Sequence, residues 1–189
     1  VVKARDELPA FIKKCVKRMH DGEAEIKESC AAALVYIVQM DHGVHAPELF
    51  RAHTVKPLVN LLSTGTPAAQ SHAATALGGI MSNHAEHQRA AVQAGVVNPL
   101  VALLRTGAAK MQEEAALALA ALQADSAFQA DVINAGALPA IVAVLKNGSV
   151  AAQASAAQAT ANAAAYGPEA QARLSKAGSI PLLLALLGV

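Results

Sequence analysis

The chain has 189 residues, of which 54% are hydrophobic, 15% charged and only 3% aromatic, a composition that excludes an intrinsically disordered protein. Its formal net charge of +1 excludes a general polyanion binder, so we expect no nucleic-acid partner. The longest stretch without a formal charge, 147–168, is rich in polar residues, whereas a membrane span needs about 20 predominantly apolar residues, so we expect no transmembrane helix.

The first predicted element is an amphipathic helix that starts near Asp6, which is placed to cap it. Apolar residues recur at helical spacing and form one stripe that we expect to dock on the rest of the protein: Leu8, Phe11, Ile12, Cys15, Val16 and Met19. The opposite face carries cations: Lys13, Lys14, Lys17 and Arg18. We interpret this face as solvated, and docking to anionic lipid or to an acidic partner is the alternative.

The only two cysteines, Cys15 and Cys30, show no metal-binding spacing, and a chain of this length needs no disulfide. We expect both to be buried small hydrophobic residues. Reduced cysteines favour an intracellular location, in the cytoplasm or the nucleus.

No set of residues typical of an enzyme is present. Phosphate-binding glycine motifs and HExxH are absent. Two pairs of histidines lie three residues apart but have no third ligand nearby, so we interpret all four as surface residues: His42, His45, His84 and His87. Glu113 and Glu114 are consecutive and diverge on a helix, which favours a solvated or groove-lining role over acid/base catalysis. We therefore expect no enzymatic activity, no cofactor and no metal.

A joint recurs along the chain, in which Ala-Gly is followed three or four residues later by Pro. The joints are centred on His53, Gly95, Gly136 and Gly178, and the first of them lacks the glycine. Their spacing is about 42 residues, which indicates a helical solenoid.

Each period contains three predicted helices. A short apolar helix follows the proline, a longer alanine-rich helix comes next, and a further helix leads to the following joint. The predicted helices cover 58–63, 67–82, 86–94, 99–105, 109–123, 127–135, 139–146, 149–165 and 168–177. Ten apolar residues recur at matching repeat positions, and we expect them to be buried between repeats: Leu61, Leu62, Leu103, Leu104, Val144, Leu145, Ile80, Leu122, Val92 and Ile133.

With this period and these joints, residues 54–178 resemble the armadillo repeat family. The resemblance implies an all-α fold, a right-handed armadillo-type superhelical solenoid of three-helix repeats. The chain would then be a single array over 1–189, divided into an irregular leading repeat at 6–53, regular repeats at 54–95, 96–136 and 137–178, and the start of a further repeat at 179–189. Because the chain begins without Met and ends on a new apolar segment, we expect it to be an excerpt that continues into further repeats.

The resemblance also implies a concave groove made by the third helix of each repeat. In armadillo proteins that capture extended basic peptides, such as nuclear import adaptors, this helix carries a Trp and, four residues later, an Asn. By this register the Trp positions hold Ala32, Thr75, Leu117 and Gln158, and the Asn positions hold Tyr36, Gly79, Ala121 and Asn162. One turn earlier the same face holds Glu28, His72, Glu114 and Ser155.

Only Asn162 matches the import-adaptor pattern, and the chain has no Trp. We expect Asn162 and Gln158 to be exposed and to bond a partner's backbone, and we expect weak binding to a short basic import peptide. The predicted function is a noncatalytic protein–protein interaction scaffold whose partner is a protein or a peptide. The alternatives are a structural spacer or subunit in a large assembly, and the regulatory arm of an enzyme whose catalytic domain lies outside this chain.

Overall fold

The computed structural model describes residues 2–40, 44–122 and 131–188, and of residues 2–6 it describes the backbone only. These residues are largely helical and contain no strand. The chain divides into two compact units, Val1–Ala94 and Gly95–Val189, and the division falls at the Gly95 joint.

In its described residues the N-terminal unit contains six helices: α1 (Val2–Asp21), α2 (Ala24–Met40), α3 (Ala46–Arg51), α4 (Val55–Thr64), α5 (Pro67–Met81) and α6 (Ala85–Gln93). Helix α2 packs against α1 on one side and against α5 on the other, and α5 also contacts α3, α4 and α6. The alanine-rich α2 and α5 therefore lie at the centre of this unit.

The described part of the C-terminal unit contains six further helices: α7 (Val97–Thr106), α8 (Ala109–Ala121), α9 (Ala137–Asn147), α10 (Val150–Ala164), α11 (Pro168–Lys176) and α12 (Ser179–Leu186). Residues 131–134 are also helical, whereas the remaining part of the predicted helix 127–135, up to residue 130, lies outside the described residues. Helix α8 packs against α10, and α7 and α9 pack against these two helices. Each alanine-rich helix thus again has an alanine-rich neighbour.

The prolines lie inside the short helices, although the sequence predicted that the helices begin next to them. Helices α4 and α7 begin two residues before Pro57 and Pro99. In α4 the first bonded amide is that of Leu58, which donates to the carbonyl of Thr54 over 3.1 Å. Since the first amides of a helix have no partner within the helix, proline is tolerated at this third position as well as at the first.

The joints need a left-handed backbone. Gly95, Gly136 and Gly178 have φ of 84°, 73° and 85°, a region that glycine adopts without steric cost. His53 occupies the same place in the first joint with φ of 58°. The joint without glycine therefore has the same left-handed turn, at some cost in strain.

The core follows the repeat pattern. Eight of the ten predicted core residues are buried, including Leu61, Leu62 and Leu104. The prediction is wrong for Val92 and Ile133, which are half-buried. In the C-terminal unit Ile133 packs against the edge of a cluster formed by Leu138 and its neighbours, so one side of Ile133 stays accessible.

The leading helix differs from its prediction at the start. Helix α1 begins at Val2, so Asp6 lies inside it and is not its N-cap. The preceding residues include Lys, Ala and Arg, which are good helix formers and extend the helix by one turn. The docking stripe is confirmed at Ile12, Cys15 and Met19, which are buried, whereas Phe11 is exposed.

Candidate functional site

The predicted groove residues of the N-terminal unit lie on α2 and α5, which pack side by side. Tyr36 is the most accessible of them, with 67% of its surface exposed. Ala32, at the Trp position of the import-adaptor pattern, is half-buried. Tyr36 therefore stands out from a surface of small residues and offers an aromatic ring to a partner.

Some polar side chains of this face already form hydrogen bonds within the protein. Glu28 accepts a 2.6 Å hydrogen bond from the hydroxyl of Thr66, and the hydroxyl of Thr75 donates to the carbonyl of Ser71 over 3.0 Å. His72 is half-buried, and its Nδ1 is buried without a hydrogen-bond partner among the described residues. The carboxylate of Glu28 thus holds the first turn of α5 and is less available to a ligand.

Gly79 occupies the Asn position of α5 for a steric reason. A Cβ placed on Gly79 would overlap Cγ1 of Val38, which is buried on α2. Only glycine fits this approach of two helix surfaces without a rearrangement. The Asn of the import-adaptor pattern is therefore replaced by a packing contact.

Exposure was correctly predicted for two groove residues of the C-terminal unit and incorrectly for others. Leu117 is 44% exposed, and Gln158 is also exposed. Glu114 and Ser155 are buried, contrary to a groove-lining role, and the hydroxyl of Ser155 donates to the carbonyl of Ala151 over 3.1 Å. Glu114 forms a 2.7 Å ion pair with Lys110, which raises the pKa of that lysine through hydrogen bonds to Glu114 and Glu113.

Asn162 is a structural residue in this fold. It is half-buried, and its Nδ2 donates a 2.6 Å hydrogen bond to the carbonyl of Ala120 near the end of α8. Its Oδ1 accepts a 3.1 Å hydrogen bond from Nε2 of Gln158. The prediction that Asn162 is exposed is therefore wrong, since it is half-buried and its amide already bonds the backbone of the preceding repeat.

Several relevant residues were missed from the sequence. Met40 lies one turn beyond Tyr36 on α2 and is 51% exposed, so the two form an apolar pair that we call the Tyr36–Met40 pair. The hydroxyl of Tyr166 donates to the carbonyl of Leu122 over 3.0 Å, and burial raises the pKa of this tyrosine. The i,i+4 spacing of Tyr36 and Met40 is the sequence signal that could have revealed the Tyr36–Met40 pair.

Glutamine side chains bond the last carbonyls of several helices. Gln88 and Gln171 each donate to a carbonyl seven residues earlier, over 3.0 Å. Gln112 and Gln153 each donate to a carbonyl eight residues earlier, over 3.1 Å. These bonds satisfy carbonyl groups that a helix end leaves open. The repeat spacing of the glutamines was the signal that could have revealed them.

The histidines are less exposed than predicted. His87 is buried and its Nδ1 lies 2.7 Å from the carbonyl of Ile80, while its ring stacks on Phe50 with centroids 4.1 Å apart. Burial lowers the pKa of His87. His45 is half-buried beside Glu48, at 3.1 Å, and His42 lies outside the described residues. Within residues 2–40, 44–122 and 131–188 no three candidate ligands cluster as a metal site.

The two cysteines are free and buried, as predicted. Burial, together with the neighbouring thiol of Cys30, raises the pKa of the Cys15 thiol to about 11. A thiol with such a pKa is almost entirely protonated at neutral pH and reacts slowly. In the part of the chain described, no helix has the length and hydrophobicity needed to span a bilayer.

Repeated short helices, left-handed joints and paired alanine-rich helices define an α-solenoid repeat protein. The family model of the armadillo/beta-catenin-like repeat matches residues 84–121. A designed armadillo repeat protein in complex with the peptide (KR)4 is similar over 93% of this chain and 73% of its own, with 28% identity and a TM-score of 0.83. An engineered protein from a structural genomics consortium is 31% identical over 93% of this chain and 71% of its own, with a TM-score of 0.85.

A second designed armadillo repeat protein is 27% identical, covers 94% of this chain and 75% of its own, and has a TM-score of 0.85. No curated protein sequence matches the chain. The chain belongs to the armadillo repeat family, and its fold is the all-α armadillo repeat solenoid.

Proposed function

We propose that the chain is a noncatalytic scaffold that binds a protein or peptide on the faces of its alanine-rich helices. The observation that carries this proposal is the Tyr36–Met40 pair, an aromatic and a methionine side chain exposed side by side on α2. Aromatic residues and methionine are enriched where proteins bind each other. The small residues beside the pair, such as Ala32, leave room for a partner to reach it.

The C-terminal unit supports the same proposal on its own. Leu117 on α8 and Gln158 on α10 are exposed, and α8 and α10 pack directly against each other. An apolar and an amide side chain on adjacent helices can contact the side chains and the backbone of a bound segment. Each unit thus offers a few contacts, and affinity has to come from contact area.

The expected partner is not a short basic peptide. The designed relative mentioned above is in complex with (KR)4, but in this chain the carboxylates on the predicted face are engaged. Glu28 accepts from Thr66 and Glu114 pairs with Lys110. Asn162 bonds Ala120. A basic peptide would therefore have to break internal contacts, so we expect it to bind weakly.

Selection from a library of random twelve-residue peptides tests the proposal. Enriched peptides should bind the parent chain and lose at least tenfold in affinity on Tyr36→Ala or Leu117→Ala. Val150→Ala is the matched control, because Val150 is an exposed apolar residue outside the predicted register. The proposed scaffold would be contradicted if the enriched peptides keep their affinity when Tyr36, Met40 and Leu117 are replaced by alanine. Submicromolar binding of (KR)4 that Asn162→Ala abolishes would also contradict it.

A spacer within a large assembly is the second candidate. Helix α12 exposes apolar side chains at Ile180, Leu184 and Leu186, a surface that would suit packing against a further repeat or another subunit. Extending the chain by one armadillo repeat should bury these residues and raise the unfolding midpoint. An unchanged midpoint would argue against this role. An intracellular location stays an expectation from the reduced cysteines.

A further inference from the structure

Each unit contains a surface pit formed by short helices and not by the alanine-rich ones. The first pit lies between α3, α4 and α6, and the second lies between residues 131–136, α9 and α11. Seven residues that line the first pit correspond to the seven that line the second with a constant offset of 83 residues, about two repeat periods. The volumes are also close, at about 580 and 540 Å³. Equivalent positions of two repeats therefore line a pit in each unit.

The first pit has an apolar floor and a cationic rim. Phe50 and Val55 form its floor, and the ring of Phe50 is held by its stack on His87. Arg51 and Lys56 line the pit and are exposed, and none of the described residues that line it carries a carboxylate. A volume in this range accepts a bulky side chain of a ligand.

The second pit also combines apolar residues with two cations, but its cations lie at other positions of the repeat, because Pro139 corresponds to Lys56. Ile133 and Leu138 correspond to Phe50 and Val55, and Arg173 and Lys176 supply the positive charge. Arg173 is partly neutralised by a 2.8 Å ion pair with Glu169, one helical turn away.

We propose that these pits bind acidic peptide segments in which an apolar side chain is flanked by carboxylates. The apolar side chain would enter the floor, where its burial is favourable. The carboxylates would pair with the arginine and lysine of the rim, which repel basic segments. Because Arg173 already has an internal partner, the first pit binds more tightly than the second.

This site is separate from the faces of α2, α5, α8 and α10 that the proposed scaffold function uses. Its test therefore does not depend on the outcome at Tyr36. On α1, Lys14 and Arg18 line a further pit of about 360 Å³. Lys17 of the same helix is exposed, lines none of the three pits and serves as an internal comparison.

Isothermal titration of the whole chain at physiological ionic strength tests the proposal, because salt then screens exposed charges over a distance of about 8 Å. The probe is a hexapeptide of leucine and phenylalanine flanked on each side by glutamate and aspartate. We expect two sites per chain. The double variant Arg51→Glu, Lys56→Glu should lose the tighter site, and Lys176→Glu should lose the weaker one, each by at least tenfold in Kd. Lys17→Glu is a matched charge reversal on α1, outside both pits. It should change Kd by less than about twofold, because a screened charge outside the binding site contributes little to affinity.

Two further measurements guard against a general charge effect. Ala90→Leu and Ala177→Leu place a side chain in the first and second pit without changing charge, and each should remove one site. Replacing leucine and phenylalanine of the probe by alanine should weaken binding at least tenfold. Circular dichroism and thermal melts confirm that each variant is folded.

The proposal is overturned if binding survives the pit variants or falls equally with Lys17→Glu. It is also overturned if vesicles of phosphatidylserine bind tighter than the peptide with the same dependence on Arg51 and Lys56, because the pits would then belong to a membrane contact. Unchanged peptide binding in Tyr36→Ala is expected and keeps this site distinct from the scaffold face.

Discussion

Replacing Ala108 by serine should stabilise the protein, because one alanine-rich helix lacks the N-cap that its equivalents have. Thr66 and Ser149 cap α5 and α10, and their hydroxyl oxygens accept hydrogen bonds from Ala69 N and Ala152 N over 3.1 and 3.2 Å. Ala108 stands at the same place before α8 with φ and ψ of −61° and 161°, the same angles as Ser149. The backbone is thus ready for a capping side chain that alanine cannot supply.

The expected gain in unfolding free energy is about 1 kcal/mol, within the range of about 0.5 to 2 kcal/mol for N-cap exchanges with alanine. Ala108 is exposed, so the hydroxyl loses little solvation when it bonds the amide of Met111. For a chain of this size, 1 kcal/mol corresponds to a rise in Tm of about 2 to 4 °C.

Urea denaturation followed by circular dichroism measures the effect. Ser149→Ala should lose a similar amount, and Ala102→Ser, an exposed position inside α7, is the matched control and should lose about 0.5 kcal/mol or less. If Ala108→Ser gains nothing over Ala102→Ser at an unchanged denaturant slope, the assignment of a vacant cap is wrong.

Four other predictions follow from the packing and the titrating groups. Gly79→Ala should lower the free energy of unfolding by about 1 to 3 kcal/mol, because overpacking against Val38 outweighs the roughly 1 kcal/mol gained in helix propensity. In a double-mutant cycle, Val38→Ala should restore part of this loss. Burial lowers the pKa of His87, so its contribution to stability is complete above pH 6.5 and is lost as the pH falls through the lowered pKa. Between pH 7.5 and pH 5.5 the Tm of His87→Asn should therefore fall less than the Tm of the parent. An equal fall in Tm would contradict this. Asn162→Ala should cost about 1 kcal/mol without any ligand, as measured by urea denaturation, and no loss would mean that the bond to Ala120 is not formed in solution. Leu104→Ala should cost about 2 to 5 kcal/mol, and a melt indistinguishable from the parent would refute its burial in the core.

The sequence predicted the repeat period, the positions of the helices and most of the core, because these depend on the recurring glycine and proline residues and on the spacing of apolar residues. Pro57 illustrates the limit of such reasoning, since it marks a helix start only to within the first turn. The predicted register correctly assigned exposed positions to Tyr36, Leu117 and Gln158. These positions follow from the register that the armadillo resemblance implies.

Other parts of the candidate site depend on neighbours that are distant in the sequence. The contact of Gly79 with Val38 joins two helices, and the bond of Asn162 to Ala120 spans 42 residues. The burial of His87 depends on its stack with Phe50. No single repeat contains both members of such a contact, so propensity and motif reasoning could not find them.

The hydrogen bonds to the carbonyls of Ala120 and Leu122 have a consequence for how the C-terminal unit unfolds. The end of α8 cannot fray independently, since Asn162 and Tyr166 hold its carbonyls from the following repeat. Loss of α10 would leave both carbonyls without these donors, so the opening free energy of one repeat includes a contribution from the next. Under tension applied at its C-terminal end, this unit should therefore open in order from the last repeat inwards, with amide exchange at the end of α8 accelerating only after α10 has detached.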